Sequence, residues 1–121
     1  MNGWTAYHGI TETGRTRPGE TVLVSAAAGA TGLLAAQIAR NMGCRVVGIA
    51  GGAGKCRMLV EEFGLDCAID YKTEDVEQAL TRIGGGIHVY FDNVGGPLLD
   101  AVLPNMAHYG RVAICGLVAT Y

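Results

Sequence analysis

The sequence has no arginine stripe and no basic tail, and its formal net charge is −2. Nucleic-acid binding needs a dense basic footprint, so that class is excluded. No apolar run reaches membrane-spanning length, and the first residues lack a signal-peptide pattern, so the expected compartment is the cytosol. Cysteine is scattered: Cys44, Cys56, Cys67 and Cys115 form no C-x-x-C pair. That removes a zinc knuckle and a dithiol redox centre, and the four read as small core hydrophobes. His8, His88 and His108 show no metal-ligand spacing. No tyrosine has a lysine four residues on, so the phenol–lysine pair of short-chain dehydrogenases is missing, and no G-x-S-x-G nucleophile elbow occurs. Asp92 ends an apolar run, where a carboxylate serves either as an acid or as a structural hydrogen-bonding group.

What remains is a soluble globular chain of 121 residues, half of them hydrophobic, expected to fold as one domain over residues 1–121. Five β-rich runs are visible: Thr21–Ser25, Arg45–Ala50, Cys67–Asp70, His88–Asp92 and Arg111–Cys115. Most are continuously apolar, which suits strands covered on both faces. Helical patterns separate them. Ala35, Ile38, Ala39 and Met42 share one helix face, with Gly43 as a stop. Cys56, Leu59, Val60 and Phe63 repeat the pattern before Gly64. Thr73–Arg82 and Pro97–Leu103 are predicted as further helices, and the opening stretch as a helix ending at Gly14. Strand and helix in alternation predict an α/β fold, a Rossmann-like doubly wound parallel sheet of five strands. Ligands of such sheets bind beyond the carboxyl ends of the strands, where the strand order reverses.

The turn after the first run reads A-A-G-A-T-G over Ala27–Gly32, a G-x-G-x-x-G fingerprint with alanine in the first glycine position. Gly29 stands where a pyrophosphate would approach the backbone, and Gly32 where the helix packs closely. The N–H groups of Ala30, Thr31 and Gly32 and the helix dipole form an anion-binding terminus. A tight packing turn would use the same glycines, but the position after the first strand favours the phosphate cradle. Ala27 fits if its φ stays negative.

Coenzyme choice is read at the end of the second strand, where an NAD site usually carries an acid for the ribose 2′-hydroxyl. Here Gly51, Gly52, Ala53 and Gly54 occupy that place and Lys55 follows, with Arg57 and Lys72 near in sequence. Lys55 could be a solvated helix-start residue. Lysine is unfavourable beside a helix's positive end unless an anion compensates, which favours a 2′-phosphate and therefore NADP over NAD. The missing acid also argues against a methyltransferase.

The segments SAAAGATG, GCRVVGIAGGAGKC, AIDYK, VYFDNVGG and GRVAICG…Y, in this order and spacing, resemble the zinc-independent medium-chain reductases. The similarity is to the branch of prostaglandin reductases and NADP-dependent 2-alkenal reductases (leukotriene B4 dehydrogenase-like), and it covers essentially the whole chain. It implies reduction of an activated carbon–carbon double bond, an enal or enone, with hydride from NADPH. By position it implies pyrophosphate binding at Gly29–Gly32 and 2′-phosphate binding by Lys55 with help from Tyr71. Asn93 would hold the ribose side, and Cys115, Gly116, Leu117, Val118 and Tyr121 would line the nicotinamide end. The chain departs from the family pattern at Gly54, His88 and Leu117–Ala119, none of which removes a cofactor-binding group. The resemblance further implies a GroES-like substrate domain before this stretch and more sheet after it, so the expectation is a cofactor-binding domain that is a poor catalyst alone. The alternative is a stand-alone dinucleotide-binding module or assembly partner, pairing as a homodimer through its last strand.

Overall fold

Val22 and Val24 point to one side of the first strand and Leu23 to the other, and all three are inaccessible to solvent. That double burial is what the continuous apolar runs require, and it recurs along the sheet. A computed structural model of the chain describes residues 6–114. Its strands are β1 (Thr21–Val24), β2 (Arg45–Ala50), β3 (Cys67–Asp70), β4 (Ile87–Asp92) and β5 (Met106–Ile114). They form one sheet in the order β3-β2-β1-β4-β5, with every pairing parallel. The helices are α1 (Ala30–Asn41), α2 (Ala53–Glu61), α3 (Val76–Ile83) and α4 (Gly96–Val102). This is the expected Rossmann-like α/β architecture.

One face of the sheet packs Val22, Val24, Val46, Val89 and Phe91 against Ala35, Ala36 and Ala39 of α1 and Leu59 of α2. The other packs Leu23, Val47, Ile49, Ile69 and Tyr90 against Val76, Ala79 and Leu80 of α3 and Val102 of α4. The chain moves outward from β1 to β3, then returns across β1 to begin β4. The order therefore reverses between β1 and β4, and a crevice opens above their carboxyl ends. Among the described residues no helix is long and apolar enough to cross a membrane.

Several boundaries differ from the sequence reading. The opening helical stretch ends at Gly14 as expected, but it widens into a π-turn over Gly9–Thr13. A Cβ at Gly14 would stand 2.9 Å from a methyl of Val89, so the stop is also a close approach. α3 starts at Val76 rather than Thr73, because the Asp75 carboxylate caps it by accepting the Gln78 N–H at 2.9 Å. Val60 is 39% exposed and off the packed face. β5 begins five residues before its apolar run, with a register irregularity opposite Ile87 and Val89. Tyr109 adopts φ +62 there.

Candidate functional site

β1 leaves the core at Ser25 and turns over Ala26–Gly29 into α1. The strained position of this turn is Ala26, at φ +49, and not Ala27. Ala27 is fully buried, and its N–H donates to the carbonyl of Ile49 at 3.0 Å. The space for its methyl comes from β2: a Cβ on Gly48 would lie 2.9 Å from the Ala27 Cβ and 2.8 Å from Leu65. The glycine missing from the fingerprint is thus matched by one across the β1–β2 pair. Gly32 is buried beneath the turn, where a Cβ would come within 2.3 Å of the Ala26 carbonyl oxygen. Its close neighbour is this turn rather than a strand.

Gly29 precedes α1 with no side chain to cap the helix. Its own N–H is taken by the Ala26 carbonyl at 3.0 Å, and the first intrahelical bond runs from Leu33 N–H to the Gly29 carbonyl at 2.8 Å. The N–H groups of Ala30, Thr31 and Gly32 therefore lack intrahelical acceptors, as an anion-binding terminus requires.

A groove of about 520 Å³ lies above these strand ends, bounded by Ala26, Ala28 and Gly29, by Ile49, Ala50 and Gly51, and by Val94 and Leu98. That volume is in the range of cofactor sites. Lys55 and Tyr71 stand on its wall. The structure thus brings Gly29, Lys55 and Tyr71 together around one cavity. Gly51 shapes this corner: a Cβ there would fall 2.9 Å from the Tyr71 ring and hydroxyl and 3.0 Å from Cε of Lys72. Arg57 is exposed on α2 and is not on the wall.

At the end of β3 the corner holds the carboxylate of Asp70, whose N–H donates to Glu74 at 2.9 Å. Asp70 is 7% exposed, and its Oδ1 accepts the N–H of Gly52 at 2.9 Å and of Lys72 at 3.0 Å. The Gly52 hydrogen bond outweighs desolvation and, with Lys72 and Thr73, holds the carboxyl below its ordinary range. The acid is turned into the backbone, away from the place a ribose acid would take at the end of β2. Nothing in the local sequence pattern signals this role, because Gly52 is 18 residues away.

Asn93 lies at the switch point, 9% exposed, and is not on the groove wall. Its N–H donates to Ser25 Oγ at 2.8 Å and its Nδ2 to the Ser25 carbonyl at 2.9 Å, tying the end of β4 to that of β1. Asp92 next to it takes the structural alternative. Its Oδ1 accepts from the Tyr90 hydroxyl at 3.2 Å and from the N–H groups of Val94 and Gly95 at 2.9 and 2.7 Å, shaping the turn into α4. Burial pushes the Tyr90 phenol well above its ordinary value. Cys115, Gly116, Leu117, Val118 and Tyr121 lie outside the described residues.

The chain is similar to known proteins along its whole length. A 2-alkenal reductase (NADP(+)-dependent) of Nicotiana tabacum is 51% identical over all of this chain and 36% of its own length. Prostaglandin reductase 1 of Sus scrofa is 46% identical over the whole chain and 37% of its own. The crystal structure of CurA in complex with NADPH from Vibrio vulnificus, 43% identical, matches with a TM-score of 0.93 over 100% of this chain and 36% of that one. The chain thus spans little more than a third of the length of these relatives. A family profile described as zinc-binding dehydrogenase matches residues 30–121. A match that takes in α1 and all of the sheet beyond it makes the chain a member of the zinc-binding dehydrogenase family.

Proposed function

We propose that the chain is the NADP(H)-binding unit of a reductase that reduces activated carbon–carbon double bonds in enals or enones. It works in the cytosol with a substrate domain outside residues 1–121 and without catalytic zinc. The observation that carries the coenzyme assignment is the corner beyond β2. Gly52 leaves open space there, Lys55 supplies charge, and the Asp70 carboxylate is bound inward by two N–H groups. A 2′-phosphate fits such a corner, whereas a free acid on β2 would repel it. The glycine turn and the exposed α1 terminus fit a pyrophosphate. The relatives' names, NADP-dependent and prostaglandin reductases, supply the reaction class. The histidine spacing supports the zinc-independent part of the reading. β5, at the sheet edge among the described residues, supports self-association there.

Bound NADPH would supply a hydride. The contribution of these residues is to hold its phosphates and to orient the dinucleotide along the strand ends. Titration with NADPH and NADH of the wild type and Lys55→Ala tests the assignment. NADPH is expected to bind more tightly, and the substitution to remove most of the difference. One charge-assisted phosphate contact is worth about 1.5–3 kcal/mol, roughly ten- to hundredfold. Equal affinity for the two coenzymes in the wild type overturns the reading.

A further inference from the structure

The two turns that meet at the Lys55 corner are joined by a single oxygen. β2 and β3 run parallel, with Ala50 opposite Asp70, so their chains leave the sheet side by side. After β2 comes Gly52, at φ +109, a conformation open to glycine and not to residues with a Cβ. After β3 come Tyr71 and Lys72. Oδ1 of Asp70 accepts the Gly52 N–H from the first turn and the Lys72 N–H from the second, at 2.9 and 3.0 Å. The Tyr71 N–H extends the tie by donating to the Ala50 carbonyl at 3.2 Å.

The side chains follow this backbone. Lys72 folds its stem across Gly51, with Cε 3.0 Å from where a Cβ on Gly51 would stand, and Tyr71 lies against the same glycine. Lys55 reaches the groove from the first turn of α2. Neither Lys55 nor Lys72 makes an ion pair among the described residues, while Arg82 is engaged by Glu74 at 3.6 Å. The other Glu74 oxygen accepts the Asp70 N–H at 2.9 Å. Lys55 on the groove wall and Lys72 across Gly51 thus flank a glycine floor, with the Lys72 charge also acting on Asp70.

We propose that Lys72 is a second phosphate-binding residue for the coenzyme's 2′-phosphate, and that Asp70 is the positioning residue holding the Lys55 and Lys72 turns in register. The inference rests on the NADP(H) reading above. Asp70 touches no coenzyme atom in this scheme; it acts through the backbone of Gly52 and Lys72.

The test measures dissociation constants of the chain for NADPH and NADH, in the wild type and in Lys55→Ala, Lys72→Ala, Asp70→Ala and Asp70→Asn. Circular dichroism melts check that each variant is folded. Lys72→Ala is expected to weaken NADPH about tenfold and NADH less than about twofold, since one charge-assisted contact is lost. Asp70→Ala is expected to lower the NADPH-over-NADH preference by about the same factor. Asp70→Asn keeps an acceptor oxygen and should hold the preference within about threefold of the wild type. An unchanged preference in Lys72→Ala overturns the role of Lys72. Equal loss of both coenzymes in Asp70→Ala, or an Asp70→Asn preference as low as that expected for Asp70→Ala, overturns positioning. Should Asp70→Ala not fold, Asp70→Asn and Lys72→Ala decide the matter. A wild type with no preference for NADPH, or one whose preference is unmoved by Lys55→Ala, defeats the parent reading and this inference with it. Loss in Lys55→Ala with none in Lys72→Ala defeats this inference alone.

Discussion

At the residue scale, the Ala27–Gly48 pair explains how a dinucleotide turn tolerates alanine at its first fingerprint position. The fold needs one small residue at that crossing and does not specify which strand supplies it. The Ala27 methyl fills the space that Gly48 leaves open, and Leu65 closes it. Gly48→Ala is expected to destabilise the chain by about 1–3 kcal/mol through overpacking. Adding Ala27→Gly should return part of that loss, so the double variant is more stable than Gly48→Ala alone. Urea unfolding of the two single variants and the double closes the cycle; strict additivity would show that the methyls do not compete. Gly32→Ala has no such remedy. Its Cβ would meet a backbone oxygen at 2.3 Å, so α1 must shift from the turn. Coenzyme affinity should fall together with stability, and a variant that melts and binds like the wild type would contradict this geometry.

At the element scale, the clamp on β5 comes from Arg111. Its guanidinium holds Glu20 in two hydrogen bonds of 2.6 and 3.1 Å and donates to the carbonyls of Gly14 at 2.8 Å and Arg15 at 3.0 Å. β5 is thereby locked to the π-turn and to the start of β1. Burial raises the Glu20 carboxyl, but the Arg111 and Arg17 hydrogen bonds outweigh it and leave the pKa below its ordinary value of 4.5. The sign follows: the stabilisation is complete above the ordinary value and fades as pH falls through the lower folded value. Arg111→Met should cost about 1–3 kcal/mol near neutral pH, since a half-buried, charge-assisted pair loses one partner. Burial of Glu20 would then be opposed by the Arg17 N–H without the guanidinium, so the stability lost as pH falls should be smaller than in the wild type. Unfolding free energies from about pH 3 to 6 check this; an unchanged slope would remove the clamp from the account. The same elements show what the sequence could reveal. β1 to β4 were legible because burial on both faces makes them continuously apolar. The first half of β5 was hidden because His108 and Tyr109 are exposed, and its pairing with β4 is set by the fold. Gly29, Lys55 and Tyr71 could be found from local pattern and resemblance. Asp70 could not, because its partner Gly52 lies on another strand's turn.

At the scale of the whole molecule, holding a coenzyme and using it separate into two measurable properties. The groove is built by strand ends and turns within residues 6–114, so binding should be a property of this chain. At a hundredfold excess over its Kd, a ligand of the native state adds about 2.7 kcal/mol of stability. For a domain of this size that raises Tm by roughly 10 °C. NADH at the same concentration, binding ten- to hundredfold more weakly, should add only about 0.4–1.4 kcal/mol. Turnover is another matter, because hydride transfer requires the double bond and the nicotinamide to be held in near-attack geometry. The chain spans little more than a third of the length of its reductase relatives, and its groove is lined by the turns proposed to hold the coenzyme. Mixing the NADPH-loaded chain with a simple enal should therefore leave the NADPH absorbance unchanged over hours. A large thermal shift with no oxidation identifies a coenzyme-binding unit that needs a substrate domain. Oxidation of NADPH in step with loss of the enal would show that these 121 residues also hold the substrate, and the proposed division of labour would fall.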